Sequence, residues 1–405
     1  MTGPRRSSNV ESPPESFLPT LPDDRAEPST KPSTVTSSPT SISPFPSQPR
    51  DTTPLSLPPS ALAGKTLDLT LLTTVHALSV LLTGVWPPPS RRTRLTNLIS
   101  SATLPALFTF SCSTIMHAYF YAPFRLPHAY VSWISRFARL DPRLLRALRE
   151  ARFGNWRYGR DDGLGGLLGD MAQDLGLPRT WGDPAKTVPV PCQLVHQGMG
   201  KGCEVNAGVR FARAWVEAAK MYLPLRLGVV VLRWLLRLRR QRLYGRGTAP
   251  GARTAAAPLS RLLIPALADA ARSSAFLAAF VSLFYYGVCL ARTRLGPRIF
   301  SPKTVTPQMW DSGLCIHAGC LLCGLSFLVL PTEGNGTSSR RADIVFFVLP
   351  RALGVWFPRR YERKYLWREG AVFAVGAAAV VTAAMERPEM VGGVLGRVLK
   401  GVFAE

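Results

Sequence analysis

Long uncharged stretches alternate with arginine-rich ones from residue 69 to the end of the chain. Leu69 to Trp86 (LTLLTTVHALSVLLTGVW) runs 18 residues without a formal charge, and Leu98 to Phe124 runs 27, closing on the aromatic cluster Tyr119, Phe120 and Tyr121. Ser273 to Ala291 adds 19 uncharged residues between Arg272 and Arg292, Ser312 to Thr332 adds 21 between Asp311 and Glu333, and Gly370 to Met385 adds 16. A helix needs about 20 mainly apolar residues to cross a hydrocarbon layer of ~30 Å, and aromatic rings favour the headgroup level. These runs predict membrane helices, the first two as a helical hairpin. MYLPLRLGVVVLRWLL, starting at Met221, carries Arg226 and Arg233 and is a marginal span. Ile344 to Pro358 contains Pro350 and Arg351 and reads as re-entrant, tilted or interfacial, and VGGVLGRVLKGVF near the end reads as amphipathic. The sum is an all-α, polytopic helical membrane protein with about five to seven membrane helices and no β-sheet.

Other segments follow a different pattern. SRFARLDPRLLRALREARF alternates Leu and Arg at helical spacing, which predicts a helix lying along a membrane surface or packing on the bundle. GLGGLLGD (Gly163 to Asp170) lacks the G-x-G-x-x-G spacing and a preceding strand, so it reads as a loop rather than a dinucleotide site. The first 60 residues hold 14 of the 36 prolines among Ser and Thr, and cannot bury enough apolar area to offset their ordering entropy. The expected organisation is a disordered tail at 1–60, a membrane hairpin at 61–128 and a basic amphipathic and loop linker at 129–187. A Cys-rich motif with a membrane helix follows at 188–246, and a membrane helical bundle at 247–405.

Composition sharpens this picture. The net charge is +24 although 46% of the 405 residues are hydrophobic, and the basic clusters flank apolar runs without a nucleic-acid recognition motif. The partners this implies are membrane lipids, through their anionic headgroups, rather than nucleic acid. A homo-oligomer is compatible with the same pattern. Seven cysteines, an odd number, do not make a secreted disulfide framework. No signal peptide is visible before the first apolar run, and the acidic residues of the tail argue against a mitochondrial presequence.

Candidate chemistry is sparse. The five histidines form no H-E-x-x-H, and neither a nucleophile elbow nor a phosphate-binding loop is present, so neither a catalytic residue nor a cofactor is expected. Cys192, His196 and Cys203 stand in a C-x3-H-x6-C spacing. Three readings are open: packing of a loop against the bundle, which leads, a disulfide, or a zinc site whose fourth ligand would come from elsewhere, with Cys315 or His317 as the candidates. Small residues recur at helix-packing spacing, with Ser274, Ala278, Ser282, Gly319 and Gly324 as the expected contacts. Arg226, His317 and Arg351 are polar groups inside apolar runs, and would line a path if one exists.

The stretch from Cys192 to Trp234, CQLVHQGMGKGCEVNAGVRFARAWVEAAKMYLPLRLGVVVLRW, resembles the Cys-rich N-terminal domain of the transmembrane protein 135 family, with Cys192, His196, Cys203, Tyr222 and Pro224 as the matching positions. AFLAAFVSLFYYGVCLAR, HAGCLLCGLSFLVL and RPEMVGGVLGRVLKGVF are similar to later segments of that family, so the likeness runs from about residue 188 to 403 in order. It implies a non-enzymatic integral membrane protein of the peroxisome or mitochondrion, acting in lipid homeostasis or organelle organisation. The alternative is a transporter or pore for a small metabolite or lipid.

Overall fold

The computed structural model describes residues 62–86, 91, 93–244, 259–330 and 340–403. The Ser/Thr/Pro-rich tail expected at 1–60 lies outside these residues. The first uncharged run forms α1 (Leu67–Val85), and the second forms α2 (Arg94–Tyr121), whose start is capped by Thr93 Oγ1 accepting from the Thr96 amide at 3.3 Å. Four shorter helices follow: α3 (His128–Ala138), α4 (Pro142–Phe153), α5 (Gly165–Asp174) and α6 (Cys192–His196). Next come the 42-residue α7 (Cys203–Tyr244) and α8 (Leu259–Cys289). Two short turns, α9 (Gly296–Ile299) and α10 (Pro307–Met309), lead to α11 (Cys315–Cys323), α12 (Arg340–Gly354), α13 (Leu366–Glu386) and α14 (Gly393–Phe403).

Five segments are long and apolar enough to cross a membrane: Leu67–Val85, Arg94–Tyr121, Arg261–Arg294, Pro307–Val329 and Arg363–Glu386. The chain is a helical integral membrane protein. Apolar side chains on its outer face, such as Val375 at 72% exposure and Leu81 at 60%, suit a hydrocarbon solvent. The marginal run from Met221 is the second half of α7, and the run from Ile344 lies in the amphipathic α12; neither is among the five.

Several expectations need correction. The first two runs do not close on each other as a hairpin. α1 packs on α12 and α13, whereas α2 packs on α11 and α12, so the apolar face of α12 serves both. The expected border at 246 does not separate packing units either, because α7 lies along α8. Some β-structure is present: Leu62–Ala63 (β1) pairs antiparallel with Tyr361–Glu362 (β2). That pairing brings Gly64 (φ +110) so close to the Arg359 carbonyl that a Cβ would collide with it.

The segment expected as a linker at 129–187 is a folded cap with its own core. Leu144, Ala147 and Ala151 line one face of α4 and meet Trp156, Leu168, Met171, Val190 and Leu194. The stretch read as a Gly-rich loop is largely helical, as α5. The turn Arg179–Gly182 packs closely against it: a Cβ on Gly182 would overlap the backbone of Leu168 and Gly169.

Candidate functional site

Helical periodicity on five elements builds an apolar cavity of about 360 Å³. Phe108, Cys112, Ile115 and Met116 form a stripe on α2, and Tyr130, Trp133, Ile134 and Phe137 form one on α3. Met221 and Tyr222 of α7, the Phe276-to-Tyr285 face of α8, and Ile344, Phe347 and Val348 of α12 close it. Among the described residues, no Asp, Glu, Lys or Arg lines the cavity. Polar groups sit at its edges. The Tyr285 hydroxyl donates to the Ala138 carbonyl at 2.7 Å, with the Arg210 guanidinium 3.5 Å above the Tyr285 ring. Arg351 stacks over Phe347 at 3.8 Å and lies 5.6 Å from the Tyr130 ring. Burial pushes the Tyr130 phenol above its ordinary range, keeping it a neutral hydroxyl at physiological pH. Tyr222 also lines the cavity, one helical turn from Arg226.

Beside the cavity the cap meets α7 and α8 through a cluster of donors. Cys192 and His196 lie at the two ends of α6, Cys203 opens α7 and Cys289 closes α8, and one ligand atom from each lies within 4.8 Å of every other. His196 is 1% exposed. Its Nδ1 lies 2.9 Å from the Gly200 carbonyl and its Nε2 3.3 Å from the Cys289 sulfur. Desolvation depresses the His196 pKa, against the Gly200 hydrogen bond, so the ring is neutral at physiological pH. A hydrogen bond from Cys289 pulls the Cys192 thiol down to about 6; burial opposes this, and the Arg292 guanidinium adds to it. Burial, then the Cys192 thiolate, pushes Cys203 upward. All seven cysteines are free thiols. Three thiols and a neutral imidazole at this spacing can hold one borderline-soft cation.

The fourth member is Cys289, and neither Cys315 nor His317 belongs to the cluster. Cys289 ends an apolar run 93 residues from His196, and no local spacing signals the contact. One turn further on, Arg292 makes a two-pronged pair with Asp311 at 2.5 and 2.8 Å, both side chains 5% exposed. Each sits in a π-helical turn, Leu290–Arg294 and Trp310–Leu314, the kind of helix defect that re-aims a side chain. Tyr158 of the cap donates to Asp311 at 2.5 Å, and Arg292 donates to the Val190 carbonyl at 3.2 Å. Cap and bundle are thus joined through a buried ion pair whose two charges, in the sequence, merely bordered uncharged runs.

The expected packing residues occupy helix contacts. Ser274 and Ala278 are fully buried on α8, and Ser282 donates to the Ala207 carbonyl of α7 at 2.8 Å. A Cβ on Gly319 would stand 2.9 Å from the Phe284 carbonyl, and one on Gly324 would overlap Thr109 of α2. Pro224 lies inside α7. The three residues suggested for a path sit on three different helices. His317 bonds Ser113 at 2.7 Å and stacks on His117 at 5.5 Å between α2 and α11, while Arg226 and Arg351 belong to α7 and α12. No family model matches the chain, and no curated protein or solved structure does either.

Proposed function

We propose that this integral membrane protein binds a single-chain anionic amphiphile of the fatty-acid type, and that it acts in lipid homeostasis at a peroxisomal or mitochondrial membrane. The observation that carries the reading is the cavity of about 360 Å³, whose described lining residues carry no charge. Its size falls at the lower end of small-molecule sites, roughly 300–1,000 Å³, and its lining suits an acyl chain. A bilayer already shields such a chain from water, so hydrophobicity alone gives little selectivity. Selection falls to the polar edge. Arg351 beside Tyr130, and Arg226 one turn from Tyr222, supply cationic charge and hydroxyl donors for a carboxylate or similar head. The organelle rests on the resemblance to the transmembrane protein 135 family. A transporter reading has less support, because Arg226, His317 and Arg351 lie on separate elements and His317 is bonded away from the cavity.

The test is equilibrium binding of a fluorescent fatty acid to the purified, delipidated protein. Val348 is a partly exposed cavity residue, so Val348→Trp should fill space and abolish saturable binding. Arg351→Gln should weaken binding of the acid while leaving its neutral methyl ester unchanged. Binding insensitive to Val348→Trp would refute the assignment to this cavity. Saturable flux through reconstituted vesicles, dependent on Arg226, His317 and Arg351 but not on Val348, would bring the transporter reading forward.

A further inference from the structure

The geometry points to a structural zinc centre formed by Cys192, His196, Cys203 and Cys289, which clamps the cap to α7 and α8. Tetrahedral zinc, with Zn–S near 2.3 Å and Zn–N near 2.0 Å, sets its donors ~3.5–3.8 Å apart. The four donor atoms already lie within 4.8 Å of one another, so side-chain adjustments of about 1 Å complete a tetrahedron. The histidine is oriented for the task. Its Nδ1 faces the Gly200 carbonyl at 2.9 Å, which fixes the proton there and leaves the Nε2 lone pair directed at the sulfurs. This is a second, independent observation: a metal-ligating imidazole is normally held by such an outer hydrogen bond. Packing alone would not require three sulfurs, drawn from three elements, to converge on the free edge of a buried imidazole.

The donor set selects the cation. Three sulfurs and one imidazole nitrogen favour zinc over magnesium or calcium, and four protein ligands leave no open position for substrate, which makes the site structural rather than catalytic. In the loaded site all three cysteines are thiolates, so that Zn²⁺, three thiolates and neutral His196 give a complex of net charge −1, and each cysteine still protonated releases its proton on binding. Arg292, next to the cluster, offsets that charge. The clamp is independent of the lipid reading.

The experiment is metal analysis of the full-length protein purified without chelator, followed by cobalt titration as a spectroscopic probe. The expected result is one zinc per chain and, after exchange, cobalt d–d bands of tetrahedral intensity with sulfur-to-cobalt charge transfer. Cys289→Ser should lose the metal, whereas Cys323→Ser, a cysteine outside the cluster, should keep it. Cys203→His, which conserves a ligand, should retain cobalt with a shifted ligand-field spectrum, and so separates ligation from a general folding defect. Equal metal content in wild type and Cys289→Ser would overturn the assignment. So would a Cys192–Cys203 disulfide found by mass spectrometry in a metal-free protein.

Discussion

Asp311→Ala should be among the most destabilising single substitutions in the chain. Arg292 receives two hydrogen bonds' worth of compensation from Asp311, at 2.5 and 2.8 Å, and its only other acceptor among the described contacts is the Val190 carbonyl at 3.2 Å. With both side chains 5% exposed, removing the carboxylate leaves a guanidinium that water reaches poorly. Breaking a buried pair in this way costs about 3–5 kcal/mol. Tyr158 loses an acceptor as well, although its oxygen still accepts from the Val190 amide at 3.0 Å. A loss of that size changes the folded-to-unfolded ratio by roughly two to four orders of magnitude. The double variant Arg292→Met with Asp311→Leu removes both charges and refills the volume, so it should be less damaging than Asp311→Ala alone. Unfolding in mixed micelles titrated with a denaturing detergent, followed by circular dichroism, measures all three. The reasoning fails if Asp311→Ala stays within about 1 kcal/mol of wild type, or if the double variant is the worse of the two.

Other consequences are open to measurement. Gly324→Leu should lower stability in the same micelle assay by about 1–3 kcal/mol, since its side chain overlaps Thr109 of α2; unchanged stability would contradict close packing of α2 against the segment following α11. Glu217 of α7 pairs with Arg136 of α3 and with Arg139, which caps that helix, and the hydrogen bond from Lys220, together with these charges, holds its carboxyl below the usual range. A depressed carboxylate contributes stability that is present above its ordinary value of 4.5 and disappears as pH falls through the folded value. Protection factors of the α3 amides, taken relative to intrinsic exchange, should therefore fall on acidification below about pH 4.5, and Glu217→Gln should remove that acid dependence. Chelation should expose Cys192 and Cys203 to maleimide labelling at a lower reagent concentration than Cys320 or Cys323, which are fully buried.

The parts of the fold legible in the sequence are those set by local hydropathy. The uncharged runs at Leu69, Leu98, Ser273, Ser312 and Gly370 each correspond to a membrane-length helix, because crossing hydrocarbon demands a continuous apolar stretch whatever its neighbours. The cap is not legible in the sequence, for the opposite reason. Its core is assembled from leucines interleaved with arginines on α4, Leu168 and Met171 on the Gly-rich α5, and Trp156 and Val190 from loops, so no window looks like a core. Arg292 and Asp311 read as the ends of apolar runs, yet they face each other through π-helical turns that no periodicity announces. In the cluster, the local triad Cys192, His196 and Cys203 is legible in the sequence, while Cys289 joins it only through the packing of α7 on α8. The cavity is similar: each aromatic stripe is ordinary on its own helix, and the space between them exists only once five helices are in place.

Photo-crosslinking shows directly whether the cavity accommodates an acyl chain. A fatty acid with a diazirine near its terminal carbon, bound to the protein in nanodiscs and mapped by mass spectrometry, reports which side chains surround the chain end. Adducts should concentrate on the cavity walls, at Met116, Tyr130, Met221 and Phe280, and be lost in Val348→Trp. Adducts spread instead over the outward-facing surface, at positions such as Leu81 and Val375, with no change in Val348→Trp, would contradict that placement.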